Sequence, residues 1–446
     1  MPVGPQKESD YLKEIVAAQK AGKAEGVCSI CSANRYVLEA AICQAAKDGR
    51  HVLIEATSNQ VNQFGGYTNM TPETFTGYVK DIARDMKFPF ERVVLGGDHV
   101  GPNAWRSESA ASAMDKSRDL VKAFVLAGFT KIHLDASMRC ADDPGDEQTP
   151  LPDEKIAERS AVLCEVAEVA LAEAGGKAQP PVYVIGTEVP IPGGAQEELH
   201  AIQPTKVADV ERTIEITKRA FSKKGLESAW DRVVAVVVQP GVEFGNDSVV
   251  EYDRARACEL KGHVENYENL VYEAHSTDYQ TRHALKEMVE DHFAILKVGP
   301  WLTYAFREAV FALSQIESEW LSQRLDITLS NLPSVLDAVM IANPEHWKKH
   351  YHGTEAEIAY ARRFGFSDRS RYYWPHPPLQ EALSRLLMNL SSGPLPAGLL
   401  SQYLPRQYEA VRERRIQNSL RAIIHDKIME VTEQYAYACT IEGQEQ

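Results

Sequence analysis

The sequence predicts an α/β fold, a TIM-type (β/α)8 barrel with a C-terminal helical extension. Eight short runs rich in β-branched and aliphatic residues recur between residues 26 and 298, each ending in small or polar residues. Segments with helical spacing of apolar residues separate them. Continuous apolar strands alternating with amphipathic helices indicate a parallel sheet covered on both faces. An open doubly wound sheet would carry a G-x-G-x-x-G turn after its first strand, and none is present, which leaves the closed barrel.

In chain order the runs are GVCSICS (26–32), HVLIEAT (51–57), RVVLGGD (92–98), KIHLDAS (131–137), PVYVIGTE (181–188), RVVAVVVQ (232–239), NLVYEAH (269–275) and HFAILKV (292–298). NRYVLEAAICQAAKDG and IAERSAVLCEVAEVALAEAG are two of the intervening helical segments. After the eighth run, WLTYAFREAVFALSQIESEW is expected to form the last barrel helix, which places the barrel in residues 1–320. From Leu321 onward no strand pattern remains. NLPSVLDAVM, GTEAEIAYARRFG, LQEALSRLLMNL and the long segment from Gln407 read as helices, separated by YYWPHPP and SSGPLPAG. Residues 321–446 are therefore expected to be a helical extension packed on the barrel.

A chain of 446 residues exceeds one simple core but suits a barrel with a terminal addition. Its 44% hydrophobic and 25% charged content is ordinary for a soluble protein. A net charge of −15 argues against nucleic acid or an anionic membrane as the main partner. The strongest apolar run, VVAVVV (233–238), is far too short to span a bilayer. The start, MPVGPQKESDYLKEIV, lacks the apolar core of a signal peptide, and seven scattered cysteines suit a reducing compartment, so the cytoplasm is expected. Cys28 and Cys31 form a C-x-x-C without a second pair at zinc-site spacing, and read as ordinary buried thiols.

In this fold the site lies at the C-terminal mouth. Polar residues recur there: Asn34 after the first strand, Asn59 and Gln60 after the second, and Asp98 and His99 at the third. Asp135, Glu188, Gln239 (with Glu243 beyond it), His275 and Lys297 follow on the remaining strands. Neighbouring residues on a strand point to opposite faces, so Asp98 and His99 can share a pocket only if the backbone turns. One reading makes these residues hydrogen-bonded structure, with Asp135 and Glu188 paired to Lys131, Lys297 or an arginine. Their recurrence around a narrow mouth favours a ligand site, because unpaired polar groups converging there are costly. His99 and His275 with a carboxylate suit a divalent metal such as zinc. Such a metal polarises a sugar carbonyl, and Asp98 or Asp135 would move protons, which is the chemistry of ketose aldol cleavage or epimerisation.

The segments CSANRYVLEAAI, EATSNQVNQFGGYT, GGDHVGPNAW, LDASMRCADDP, VIGTEVPIPGGA, VVQPGVEFG, EAHSTDYQT and LKVGPWLTYAFREAVFAL closely resemble, in order, one family. It comprises the Z subunits of the bacterial tagatose-1,6-bisphosphate aldolases (GatZ/KbaZ-like), similar in turn to the class II zinc-dependent ketose-bisphosphate aldolases. The resemblance implies an accessory role, supporting the activity and stability of a catalytic Y subunit in galactitol and tagatose catabolism, within an oligomer. It also implies an alternative, a metal-dependent ketose 4-epimerase or aldolase in its own right, acting on tagatose, fructose or their phosphates. Some members carry the name tagatose-6-phosphate kinase, but no G-x-x-x-x-G-K-[ST] loop or protein-kinase motif set is present.

Asp98-His99 falls where the class II enzymes carry a catalytic Asp followed by a zinc His, and His275 where their last zinc His follows strand 7. Those enzymes have a His after strand 6 that this chain lacks, so Glu188, Gln239 or Glu243 would complete the metal shell. Asp278 stands near their phosphate loop, where it would repel phosphate, and Gly299 replaces their Asn. The resulting expectation assigns catalysis to Asp98, Asp135 and Glu188, and a metal, zinc, to His99, His275 and Glu188. Asn34, Gln60, Gln239, Lys297 and Gly299 are expected to contact a ketose or ketose phosphate.

Overall fold

Strands with no polar alternation are stable only where both faces are covered, and the chain supplies that cover. A computed structural model describes residues 8–145, 150–186 and 202–440. Eight parallel strands close into a barrel: β1 (Val27–Ile30), β2 (Val52–Thr57), β3 (Val93–Val100), β4 (Lys131–Leu134), β5 (Val182–Ile185), β6 (Val233–Val238), β7 (Val271–Ala274) and β8 (Phe293–Val298). Closure runs through β1, where Ser29 pairs with Lys297 of β8 on one side and Leu53 of β2 on the other. All eight lie at the runs expected from sequence, and β3 extends past Asp98 to Val100.

Among the described residues, ten helices precede or follow these strands as far as Leu321. They are α1 (Glu8–Lys20), α2 (Arg35–Asp48), α3 (Pro72–Asp85), α4 (Ala110–Leu126), α5 (Asp153–Glu173), α6 (Val207–Ser222), α7 (Glu227–Trp230), α8 (Cys258–Val264), α9 (Arg282–Glu290) and α10 (Pro300–Leu321). The extension adds α11 (Leu332–Ala342), α12 (Glu355–Phe364), α13 (Pro377–Leu390), α14 (Ala397–Tyr403), α15 (Pro405–Arg412) and α16 (Leu420–Cys439). The expected last barrel helix is α10, but α16 stands beside it in the ring, packed on α2, α9, α10 and β1. Tyr435 of α16 donates its hydroxyl hydrogen to the Thr277 carbonyl at 2.9 Å, tying this helix to the loop after β7. Among the described residues no helix is long and apolar enough to cross a membrane.

The barrel interior is layered. Its lower layer is apolar: Val27, Leu53, Val94, Val182, Val271 and Ile295 meet Tyr11, Leu12, Ile15 and Val16 of α1. That helix plugs the N-terminal end, and each of these four side chains contributes about 1.5–3 kcal/mol of burial free energy. Two residues further along the strands, polar side chains take the same inward positions: Ser29 after Val27, Glu55 after Leu53, Glu273 after Val271 and Lys297 after Ile295. Gly96 makes room for one of them, since a Cβ there would lie 2.6 Å from Cγ of Glu55.

Candidate functional site

At the end of β3 the backbone makes the turn that a shared Asp98–His99 pocket requires. His99 has φ 48°, in the left-handed region, a conformation costing of order 1–3 kcal/mol that persists only where its surroundings enforce it. One enforcing contact is local: Gly101 passes so close to β4 that a Cβ would lie 1.7 Å from the Asp135 carbonyl oxygen. Nδ1 of His99 is then 2.7 Å from Oδ2 of Asp135, and its Nε2 is 3.7 Å from Oδ2 of Asp98. Three imidazoles form a triangle, with His99, His133 and His275 ring centroids 5.0–5.3 Å apart.

Beneath them lies a buried lattice of ions. Lys131 Nζ is 2.7 Å from both Glu55 Oε1 and Glu273 Oε2. Lys297 Nζ is 2.8 Å from Glu55 Oε2 and 2.7 Å from Asp98 Oδ1. His133 Nδ1 lies 3.0 Å from Asp98 Oδ1, and His275 Nε2 lies 2.9 Å from Glu273 Oε1. Glu55, Asp98 and Glu273 face two ammonium groups, Lys131 and Lys297, with the His99, His133 and His275 imidazoles beside them. Burial of such groups is tolerated only where partners complete the geometry.

The field inside this lattice sorts the protons. Burial alone would raise the Asp98 carboxyl, but His99, Lys297, His133 and His275 outweigh it and hold it well below the usual carboxylate range. Glu273 is likewise held low, against burial, by Lys131, Lys297 and His275. Burial pushes the His275 imidazole down to about 4, so it is neutral at neutral pH. His99 goes the other way: Asp98 and Asp135 overcome burial and raise it. Lys297 stays protonated, because the acids around it outweigh its desolvation.

A divalent metal fits here. Asp98, His133, Glu273 and His275 each offer one ligand atom, all within 4.8 Å of one another. Nε2 of His133 is buried with no hydrogen-bond partner. Two imidazoles and two carboxylates form a donor set that zinc and manganese accept. An open cavity reaches Asp98, His99, His275 and Lys297, and Tyr67, Arg371 and Tyr372 also line it.

Over residues 12–440 the sequence matches the family described as D-tagatose-1,6-bisphosphate aldolase subunit GatZ/KbaZ-like. The chain belongs to this family. Among solved structures it is similar to a probable tagatose 6 phosphate kinase from Sinorhizobium meliloti 1021, with 44% identity and a TM-score of 0.84 over 93% of this chain and 100% of that one. A fructose-bisphosphate aldolase from Campylobacter jejuni aligns at 13% identity and a TM-score of 0.46, over 86% of this chain and 93% of that one.

Within this GatZ/KbaZ-like chain the residues expected at the site divide. Asp98, His99, Gln60, His275, Lys297 and Gly299 line one cavity, and Asp135 lies behind His99. Asn34 and Gln239 do not line it. Asn34 caps α2, its Oδ1 accepting from Tyr36 and Val37 N–H. Gln239 Oε1 accepts from the Gly241 and Val242 N–H groups and so shapes its own turn. Glu188 lies outside the described residues. Nor is His99 in the compact ligand quartet, where His133 and Glu273 join Asp98 and His275 instead; its Nδ1 is held by Asp135. Lys131 pairs with Glu55 and Glu273 rather than with Asp135.

Glu243 is buried on a short hairpin (Glu243–Phe244 with Val249–Val250) whose Phe244 lines the cavity, and burial pushes its carboxyl up to about 7. The folded state therefore holds this proton more tightly than the unfolded chain does. The protonated group costs nothing below the unfolded value near 4.5, and stability falls as pH rises from there through 7. Glu243→Gln keeps the acceptor for the Phe244 N–H and removes the ionisation. It is expected to stabilise the protein by about 3 kcal/mol more at pH 8 than at pH 5. Urea titrations at the two pH values check this, and an equal effect at both would contradict it.

Proposed function

We propose that the chain carries its own ketose-processing site at the barrel mouth, catalysing metal-assisted aldol cleavage or C4 epimerisation. The observation that supports this reading is the buried constellation of Asp98, His133, Glu273 and His275, of which Asp98 and His275 line a cavity together with Lys297. A fold-stabilising role does not call for three imidazoles and three carboxylates gathered at the floor of a cavity. Bound to this quartet, a divalent metal would polarise the substrate carbonyl. Asp98, ionised and within reach of the cavity, is the base that takes a hydroxyl proton. Lys297 holds Asp98 in place and supplies positive charge where an oxyanion develops. His99, backed by Asp135, returns a proton to a substrate oxygen. The metal assignment predicts that zinc or manganese raises the Tm of the wild type, because binding to the folded state alone stabilises it. His275→Ala and His133→Ala are each expected to abolish most of that shift and to lower bound metal in elemental analysis. Unchanged metal content in both would remove the quartet as the ligand set.

A second reading, favoured by the word "subunit" in the family description, makes the chain an activator of a separate catalytic aldolase. Assay of the purified chain with added metal, alone and mixed with a Y-type aldolase, separates the two. Turnover by the chain alone supports the first, and turnover only in the mixture supports the second.

A further inference from the structure

The loop joining α12 to α13 crosses the barrel mouth and is pinned to it on several sides. Phe366 stacks on Tyr279 with ring centroids 4.6 Å apart, and Ser367 donates its hydroxyl hydrogen to Asn246 Oδ1 at 2.7 Å. Asp368 accepts from the Thr303 hydroxyl. Tyr372 stacks on His346 at 4.5 Å and meets the edge of Tyr67 at 4.8 Å. The loop is thus held by residues that follow β2, β6, β7 and β8, and it delivers Arg371 to the wall of the cavity that contains Lys297 and His275.

Arg371 donates from Nη1 to the Ser367 and Asp368 carbonyls and from Nη2 to the Tyr372 hydroxyl at 3.0 Å, which fixes its guanidinium at the cavity wall. It is partly buried, and among the described residues no carboxylate oxygen lies within 4.0 Å of it. Asp278, in the same cavity, and Asp368 act on it from farther away. A guanidinium fixed by its own loop and free of a direct acid partner is suited to take an anionic ligand.

A second observation says where such an anion does not go. In barrels of this type, phosphate is usually taken by the loops after strands 7 and 8 and a nearby helix N-terminus. Here Oδ1 of Asp278 fills that place, accepting the N–H groups of Gly299 at 3.1 Å and Trp301 at 2.8 Å. The chain's own carboxylate closes the backbone seat, while Arg371 lines the same cavity with donors to spare.

We propose that Arg371 of the C-terminal extension, rather than backbone amides after β7 and β8, is the anion site that holds the phosphoryl group of a ketose phosphate. The ketose part rests on the function proposed above; the anion site stands on Arg371. A guanidinium fork matches two phosphoryl oxygens, which an ammonium group does not. The extension would then complete the site as well as pack on the barrel.

Calorimetric titration of the full chain with fructose 6-phosphate, fructose and inorganic phosphate, in the presence of zinc or manganese, tests this. The wild type is expected to bind the phosphate ester at least about tenfold tighter than the free sugar, the scale of a hydrogen bond to a charged group. Arg371→Gln is expected to lose that preference while its affinity for fructose stays within about twofold. Arg371→Lys, which keeps the charge on the pinned loop, is expected to fold and to lose most of it. Full ester preference in either variant would overturn the proposal, as would a wild type that does not distinguish ester from free sugar. Inorganic phosphate binding that depends on Arg371, without any sugar binding, would uphold the anion site and refute the ketose reading. Sugar binding indifferent to Arg371 would do the reverse.

Discussion

Lys131→Met is expected to lower the unfolding free energy by about 3–5 kcal/mol, the cost of removing one partner from a buried ion pair. Lys131 is fully buried, and its Nζ is shared by Glu55 and Glu273 at 2.7 Å each. Methionine approximates its volume but takes away the ammonium that Glu55 and Glu273 share, and both carboxylates are fully buried. Adding Glu55→Gln removes one of the stranded charges, so the double variant is expected to recover part of the loss. A double-mutant cycle by chemical denaturation gives the coupling directly. Wild-type stability in Lys131→Met would mean that these ions do not govern the middle layer of the barrel.

Asp98→Asn is expected to cut intrinsic turnover by about 100- to 10,000-fold, the usual contribution of one general acid–base group. Asp98 sits where the two halves of the site meet, 2.7 Å from Lys297 Nζ and 3.0 Å from His133 Nδ1. Asparagine keeps its shape and one acceptor oxygen but cannot take a proton. It also weakens one ligand of the quartet, so metal content must be measured beside turnover. Full turnover with normal metal content would remove Asp98 from the chemistry. If the chain acts only by stabilising a partner, the same substitution should leave partner activation almost untouched.

The barrel was legible because its strands are uniformly apolar and bounded by turn residues, and each of the eight lies where its run predicts. The ring of strand-end polar residues led to Asp98, His99, His275 and Lys297. It also drew in Asn34 and Gln239, since the amides that contact ligands are the same residues that cap helices and close turns. Glu55, His133 and Glu273 escaped notice because they lie within the strands rather than at their ends. Their signal was present: in LIEAT, KIHLD, VYEAH and ILKV a charged or imidazole side chain interrupts an otherwise apolar strand. In a closed barrel such a residue, in step with the inward-facing apolar ones, faces the interior. Two features were not readable. The left-handed backbone at His99 hands its ring to Asp135, and nothing in the residue types specifies that turn. The reach of Arg371 and Tyr372 over the mouth depends on ring contacts, edge-on with Tyr67 and stacked with Tyr279, across long stretches of chain that no local pattern encodes.

The most direct test of a self-sufficient site is a single assay. The purified full-length chain, loaded with zinc or manganese and free of any partner, is incubated with tagatose, fructose and their phosphates. Cleavage and epimer products are followed by chromatography. Turnover that needs the metal and falls at least about 100-fold in Asp98→Asn is the predicted result. No turnover by the metal-loaded chain, with full activation of a Y-type aldolase by both wild type and Asp98→Asn, would contradict it.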